Sequence, residues 1–468
     1  MSFDLKPYPE YRDSGLPWLG KIPAHWQIVR NGRLFSQRNE TGYPDLPILE
    51  VSLKTGVRIR DFTDSNRKQV MANRGGYKKA AKGDIAYNMM RMWQGAVGVA
   101  PVDGLVSPAY VVAKPFPEID SKYYAYLFRT TTYMNEVNKY SHGIVTDRNR
   151  LYWDEFKQMP SVFPTLSEQT EIANFLDYSA RQVRAFIRTK QRVIEHLKEQ
   201  KQAVIQRAVT RGIEPNVRLS PSGISWIGDI PVGWELRRLK YLVTNVNDQT
   251  GDRDVTEAYI RLEDVESWTG RIRLPEGPVE FESQVKRFKA GDILFGKLRP
   301  YLAKITRPHF NGVCVGEFLV LRQHAFEISP DFLEVKLRSP QIIDLVNSST
   351  FGAKMPRAEW SFIGNLYICF PPIPLEHQKI LRKIEEDTRQ LQNAIDGASK
   401  QIEVLREYRA RLIAEILTGK LDVRKSQLPA LEETMAEGVL SGEPGISGDY
   451  IEEKVEPELV EETVDADE

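Results

Sequence analysis

The chain is poor in the residues that most often carry chemistry. Among 468 residues there are two cysteines, Cys314 and Cys369, and six histidines. The cysteines lie 55 positions apart, outside any zinc-ligand spacing, so a reduced, cytoplasmic protein is the simplest expectation. His25, His142, His196, His309, His324 and His377 are scattered, with no His-Glu-x-x-His and no Gly-x-Ser-x-Gly. No apolar run approaches the roughly 18 residues of a membrane span, and the start does not read as a signal peptide. The expectation is therefore a chain that neither catalyses nor enters a membrane.

Net charge is also missing, with 64 basic against 64 acidic residues, but the balance hides a segregation. From position 426 onward there are fourteen Asp and Glu against one lysine, Lys454, which leaves 63 basic and 50 acidic groups in the rest. A basic body points to a polyanion. The tail, residues 425–468, is expected to be disordered. Its charge suits an internal DNA mimic, a solubility tail or a docking segment, and favours none of them.

Two long helices are written into the remainder, over 166–211 and 375–419. Small or apolar residues alternate at steps of four and three through Leu176, Ala180, Val183, Ile187, Lys190, Ile194, Leu197, Lys201, Val204 and Ala208. They do so again through Leu381, Ile384, Thr388, Leu391, Ile395, Ala398, Ile402, Leu405, Arg409, Leu412 and Ile416. These are heptad seams, each preceded by a proline-rich lead-in. About 45 residues make a rod of roughly 65 Å, a spacer rather than core. The seams are expected to pack on each other as antiparallel rods, giving a pseudosymmetric dumbbell.

The rods belong to a larger repeat. The frame Ser-Gly-x-x-Trp-x-Gly-x-Ile-Pro-x-x-Trp runs from Ser14 to Trp26 and again from Ser222 to Trp234, and Gly83-Asp84-Ile85 returns as Gly291-Asp292-Ile293, both 208 apart. Gly143 matches Gly352 and Gln169 matches Gln378 at 209, whereas Thr210 matches Thr418 at 208, which puts a one-residue slip inside the helix. A period this long duplicates a whole globular domain plus a rod. Short β-rich runs at 47–53, 85–89, 96–99, 110–112, 259–262, 293–295, 302–305 and 318–321, with one amphipathic helix per copy at 121–137 and 330–347, define an α+β class. The partition is two pseudosymmetric α+β domains, 1–163 and 213–371, each followed by a rod, 164–212 and 372–424. Trp18, Trp26, Trp226 and Trp234 are expected to pin chain segments onto the domains.

Two stretches mimic catalytic motifs. Asp331, Glu334 and Lys336 are the residue types of a metal-dependent nuclease, but too close in sequence to come from two strands. The other repeat places Ala125 and Leu127 opposite Glu334 and Lys336, so a solvated helix face is expected. Phe370-Pro371-Pro372-Ile373 resembles the loop with which amino-methyltransferases hold an amine, yet Phe370 stands where a polar acceptor is needed.

Binding is better supported. Lys54, Arg58, Arg60, Arg67, Lys68, Arg74, Lys78 and Lys79 crowd one domain, and Arg271, Arg273, Lys286, Arg287, Lys297, Arg299, Lys304 and Arg307 the other. Phosphates accept mobile cations; base edges require rigidly presented Arg, Lys, Asn or Gln. The stretch after Gly-Asp-Ile fits the second need, with Asn88, Arg91 and Gln94 in one copy and Lys297, Arg299 and Tyr301 in the other. The copies agree at scaffold glycines and differ here.

The duplication, the twin rods, Gly-Asp-Ile-Leu-Phe-Gly-Lys-Leu-Arg-Pro-Tyr-Leu at 291–302, the lead-in at 164–169 and Ile-Leu-Thr-Gly-Lys-Leu at 416–421 together resemble the specificity subunit of type I restriction-modification systems, over about residues 10–424. The resemblance implies two target-recognition domains, each reading half of a bipartite site in double-stranded DNA. It also implies two modification methyltransferase subunits, which bring S-adenosylmethionine and methylate adenine. Restriction translocase-endonuclease subunits bring ATP and Mg, and this chain needs no cofactor. Two alternatives are a specificity subunit whose partner fuses modification and cleavage, and a coiled-coil scaffold that touches no DNA.

Overall fold

A computed structural model describes residues 5–60, 74–143, 149–251, 258–275, 284–324, 327–352 and 355–426. Two compact units emerge, Met1–Thr189 with Gln401–Glu468, and Lys190–Lys400. Their boundaries fall inside the rods, whereas the sequence partition gives each rod a segment of its own.

In the first unit, four antiparallel strands lie in the order Phe35–Gln37, Tyr110–Pro115, Ile85–Asn88, Val97–Val99. Helices Ser121–Phe128 and Thr131–Tyr140 join the same core, which is dominated by rings: Phe35, Tyr87, Tyr123, Tyr124, Phe128, Tyr133 and Phe156 are all buried. A buried phenol needs a partner. That of Tyr133 accepts from Asn31 at 2.8 Å and meets Ser161 at 3.1 Å. Strand Pro160–Phe163 pairs with Gln27–Arg30 and delivers the chain to the first rod.

The second unit repeats the sheet as Val243–Val246, Phe318–Gln323, Ile293–Gly296, Ile305–Thr306. It adds another sheet of Gln249–Thr250, Val285–Phe288, Gly312–Val315 and Ala258–Ile260, whose last pair is parallel. Tyr367–Phe370 pairs with Glu235–Arg238 ahead of the second rod.

Each helix expected to be single is broken. In the first unit Thr130 leaves helical geometry and its hydroxyl accepts from the Tyr133 N–H, starting a new helix. In the second, Pro340 stands at the first turn of Pro340–Ser348 and ends Pro330–Leu337 before it. The strand expected at 302–305 is also absent: Pro300–Leu302 is a 3-10 turn, with the strand confined to Ile305–Thr306.

The rods are Leu166–Arg211 and Pro374–Leu417. Every residue of both predicted seams is buried or half-buried, while the intervening positions are mostly exposed. Within the first unit, Ile172, Phe175 and Leu176 of one rod share a core with Leu412, Ile413 and Ile416 of the other. Within the second, Ala208 and Val209 share one with Ile380 and Ile384, and Lys201 Nζ donates to Gln392 Oε1 at 2.7 Å. In the second unit the two helices therefore run antiparallel. Both rods end on a glycine in the left-handed region, Gly212 at φ 73° and Gly419 at φ 74°. Gly419 is also pressed on Pro23, where a Cβ would meet Cδ at 2.3 Å.

The slip expected inside the helix is not there. Buried Gln169 accepts from the Asp120 N–H at 2.9 Å and donates to the Pro164 carbonyl at 2.9 Å. In the second unit both bonds are made by His377, with Ser329 N–H at 3.2 Å and the Pro371 carbonyl at 2.8 Å, while Gln378 is exposed. Position 169 thus corresponds to 377, a separation of 208, and the register changes fall in the loops before the rods.

The Glu334 and Lys336 pair does not face solvent either. Glu334 is held by Arg338 at 2.8 Å and Arg307 at 3.8 Å. Lys336 is buried, with Nζ donating to the Val209 carbonyl at 2.6 Å, in the last turn of the first rod. Burial brings that amine down to about 8. The two groups serve packing on opposite sides of one helix.

Candidate nucleic-acid interface

In both units the central strand is aimed by a buried aspartate. Asp84 accepts from the Ala81 N–H at 2.9 Å and from Arg38 Nε at 2.6 Å. Asp292 accepts from the Lys289 N–H at 2.8 Å and from Arg322 at 2.9 and 2.6 Å. The turn is the same, but the arginine follows the sheet-edge strand in one unit and comes from the neighbouring strand in the other. Buried aspartates without such partners would be costly, so the Gly-Asp turn is scaffold that fixes the strand behind a loop.

That loop carries the predicted readers. In the first unit Asn88 Oδ1 accepts from the Met90 N–H at 2.9 Å, and Arg91 and Gln94 are exposed on either side of the 3-10 turn Met92–Gln94. In the second, Lys297 is half-buried while Arg299 and Tyr301 are exposed. Arg299 and Ala303 sit at φ 50° and 47°, a strained setting for residues with a Cβ that is common where side chains are held for function.

The remaining cations divide into braces, ion-paired groups and other exposed or half-buried side chains. Lys78 donates to the Tyr110 carbonyl at 2.9 Å and Lys286, 7% exposed, to the Phe318 carbonyl at 2.8 Å. Those positions correspond in the two repeats, and burial lowers both amines. Lys304 donates to the Leu262 carbonyl at 2.6 Å. The first two amines tie strand to strand and the third ties loop to loop. Arg58 pairs with Glu50 at 2.5 Å, Arg273 with Glu266 at 3.4 Å, and Lys79 with Asp103 at 3.5 Å while lying over the Tyr43 ring. Lys54, Arg271 and Arg287 are exposed, and Arg60 and Arg74 are half-buried. Arg67 and Lys68 lie outside the described residues.

Sequence reading missed one element on this face. A β-bridge joins His142 to Arg150 in one unit and Phe351 to Arg357 in the other, and the residue after each bridge bonds the reading stretch, the Leu151 N–H to the Met89 carbonyl and the Ala358 N–H to the Lys297 carbonyl, both at 2.9 Å. The matched Gly143 and Gly352, each one step after the bridge, were the available signal. Among the described residues, no three His, Cys, Asp or Glu side chains group to hold a metal ion, and no helix is long and apolar enough to cross a membrane.

Residues 26–196 match the family described as the type I restriction modification DNA specificity domain. The chain is 23% identical over 309 residues to the type I restriction enzyme EcoDI specificity subunit of Escherichia coli, covering 60% of this chain and 69% of that one. It is 24% identical over 290 residues to the MjaVIII specificity subunit of Methanocaldococcus jannaschii, covering 58% and 64%. A solved chain from work on complex assembly and conformational transition of the type I R-M system superposes with TM-score 0.59 at 14% identity, over 86% of this chain and 99% of that one. The match places a DNA specificity domain over the first of the two α+β units, and the relatives it points to are specificity subunits. Over residues 26–196 the chain carries the DNA specificity domain of type I restriction modification, and it is similar to specificity subunits of those systems.

Proposed function

We propose that each unit reads one half of a bipartite site in double-stranded DNA, with the rods setting the unspecified spacer between the halves. The observation that carries this is the pairing of one scaffold with two different polar loops. Asp84 and Asp292 fix the same turn, while Asn88, Arg91 and Gln94 occupy the place of Lys297, Arg299 and Tyr301. Two or three good base contacts at roughly 1–3 kcal/mol each would give a half-site its discrimination. Lys54, Arg271 and Arg287, exposed in the two units, would hold phosphates.

In this reading the chain is a cytoplasmic positioning subunit that carries no cofactor. Two modification methyltransferase subunits bind around the rods, supply S-adenosylmethionine and flip the target adenine into their own pockets. Restriction translocase-endonuclease subunits join them with ATP and Mg. Single-molecule methylation mapping of DNA from cells expressing this chain with its modification partner tests the reading. The expected result is a split motif with N6-methyladenine on both strands, lost when either unit's reading loop is replaced. An assembled, active partner that leaves no split motif would overturn it.

A further inference from the structure

Among the described residues the most exposed large apolar side chain is Phe351, at 77%. It belongs to the loop closed by the bridge to Arg357, whose two backbone bonds measure 3.2 and 3.1 Å. Gly352 follows at φ 95°, Met355 in the same loop is 55% exposed, and Pro356 comes next. The loop is fastened to the reading loop: the Arg299 N–H donates to the Pro356 carbonyl at 2.8 Å, and the Ala358 N–H to the Lys297 carbonyl at 2.9 Å. Tyr301 is exposed on that second loop, and Arg357 pairs with Glu317 at 2.8 Å.

A single exposed apolar side chain is ordinary. Three of them on two segments stitched together by backbone bonds, next to Lys297 and Arg299, give an apolar edge beside cations. A protein partner's core would meet that edge at the cost of desolvating the cations. A duplex would not, because its phosphates accept those same cations. Phe, Met and Pro are the residue types that push between base steps and unstack them. Two backbone bonds to Arg357 already fix the backbone of Phe351, so little ordering of that residue remains to be done on binding.

The first unit supplies the comparison. Its bridge joins His142 to Arg150, and the Leu151 N–H donates to the Met89 carbonyl at 2.9 Å, so the loop is closed and fastened in the same way. At the place of Phe351 it has the exposed imidazole of His142. The bridge is kept while the residue that makes it changes from apolar to polar, which separates the side chain's role from the bridge's own bonding.

We propose that Phe351 is a wedge that enters the base stack of the half-site read by the second unit, with Met355 extending its apolar edge and Arg299 holding a flanking phosphate. In the first unit His142 stands at the corresponding place, and no base step is opened there. This inference rests on the DNA-reading function proposed above. The test uses the full chain assembled with its modification partner, on duplexes carrying the mapped split motif with 2-aminopurine placed at one position at a time, away from the methylated adenine. Binding is expected to raise fluorescence at one step of one half-site. F351A should abolish that rise and weaken binding about tenfold, F351W should keep it, and H142A should leave it unchanged. A rise that survives F351A at every position overturns the wedge. So does loss of partner assembly in F351A, which would make Phe351 a protein contact. Absence of any split motif would sink the DNA reading itself, a different result from a motif that F351A still opens.

Discussion

His377 shows how a residue's role can pass to a different chemistry at the same place. Its Nδ1 accepts from the Ser329 N–H, so the ring is neutral with its proton on Nε2, pointed at the Pro371 carbonyl. Burial, opposed by that carbonyl, holds its pKa below the ordinary histidine value. Because the folded pKa lies below the unfolded one, the stabilisation is full above pH ~6.5 and falls away as the pH drops from there through the folded pKa. Thermal melts of the wild type should thus lose stability on acidification through that window. H377Q should flatten the part of the loss that comes from this site, since Gln169 makes the same two bonds in the first unit with no proton to gain. H377A should cost about 1–3 kcal/mol at neutral pH, from the buried donor and acceptor left unpaired. An H377Q profile that tracks the wild type would rule out the ring as the titrating group. Identity alone matched Gln169 with Gln378; only the hydrogen bonds reveal the equivalence with His377, because a histidine and a glutamine can span the same gap.

At the scale of elements, the rods were the most legible part of the chain. A seam at steps of four and three is a local, repeated signal, and all 21 seam positions are buried or half-buried. Strands such as Ile85–Asn88 were legible for the same reason, to within a residue or two. The candidate interface was less so. Lys78 and Lys286 read as free cations in the sequence, yet each amine is directed at a backbone carbonyl 32 residues away, and nothing local announces such a partner. Phe351 was invisible because exposure is a tertiary property. The rods carry a prediction of their own. A heptad inserted into each, between 189 and 190 and between 400 and 401, keeps the seam in register and adds about 10 Å of helix. Methylation mapping is expected to show both half-sites unchanged and a spacer longer by about two to three base pairs, given roughly 3.4 Å per pair. An unaltered spacer would show that the rods do not set it. At the rod's end, G419A should destabilise the first unit by at least about 1 kcal/mol, because φ 74° disfavours any Cβ and Pro23 leaves no room for one; denaturant melts would measure it.

For the whole molecule, the zero net charge matters more as a distribution than as a sum. Residues 5–426 carry the basic surplus, and Arg424 closes them off: it pairs with Asp422 at 2.7 Å and lies over the Tyr8 ring, while Lys6 and Asp422 form a β-bridge. Ending the chain at Ser426 therefore leaves these ties intact and removes fourteen carboxylates and one lysine. A polyanion tethered to a basic body repels a duplex and competes with it for the same cations. Both effects are screened as the Debye length shrinks from about 30 Å at 0.01 M salt to 8 Å at 0.15 M. The shortened chain is thus expected to bind a duplex without the split motif more tightly than the full chain at low salt, with the gap closing as salt rises. Its slope of log affinity against log salt should be steeper, because cations released from the tail become available to displace counterions. The relevant measurement is a salt titration of both chains on one such duplex. Equal slopes would mean that the tail does not reach the reading surface, and its fourteen acids would then act only on solubility or on another partner.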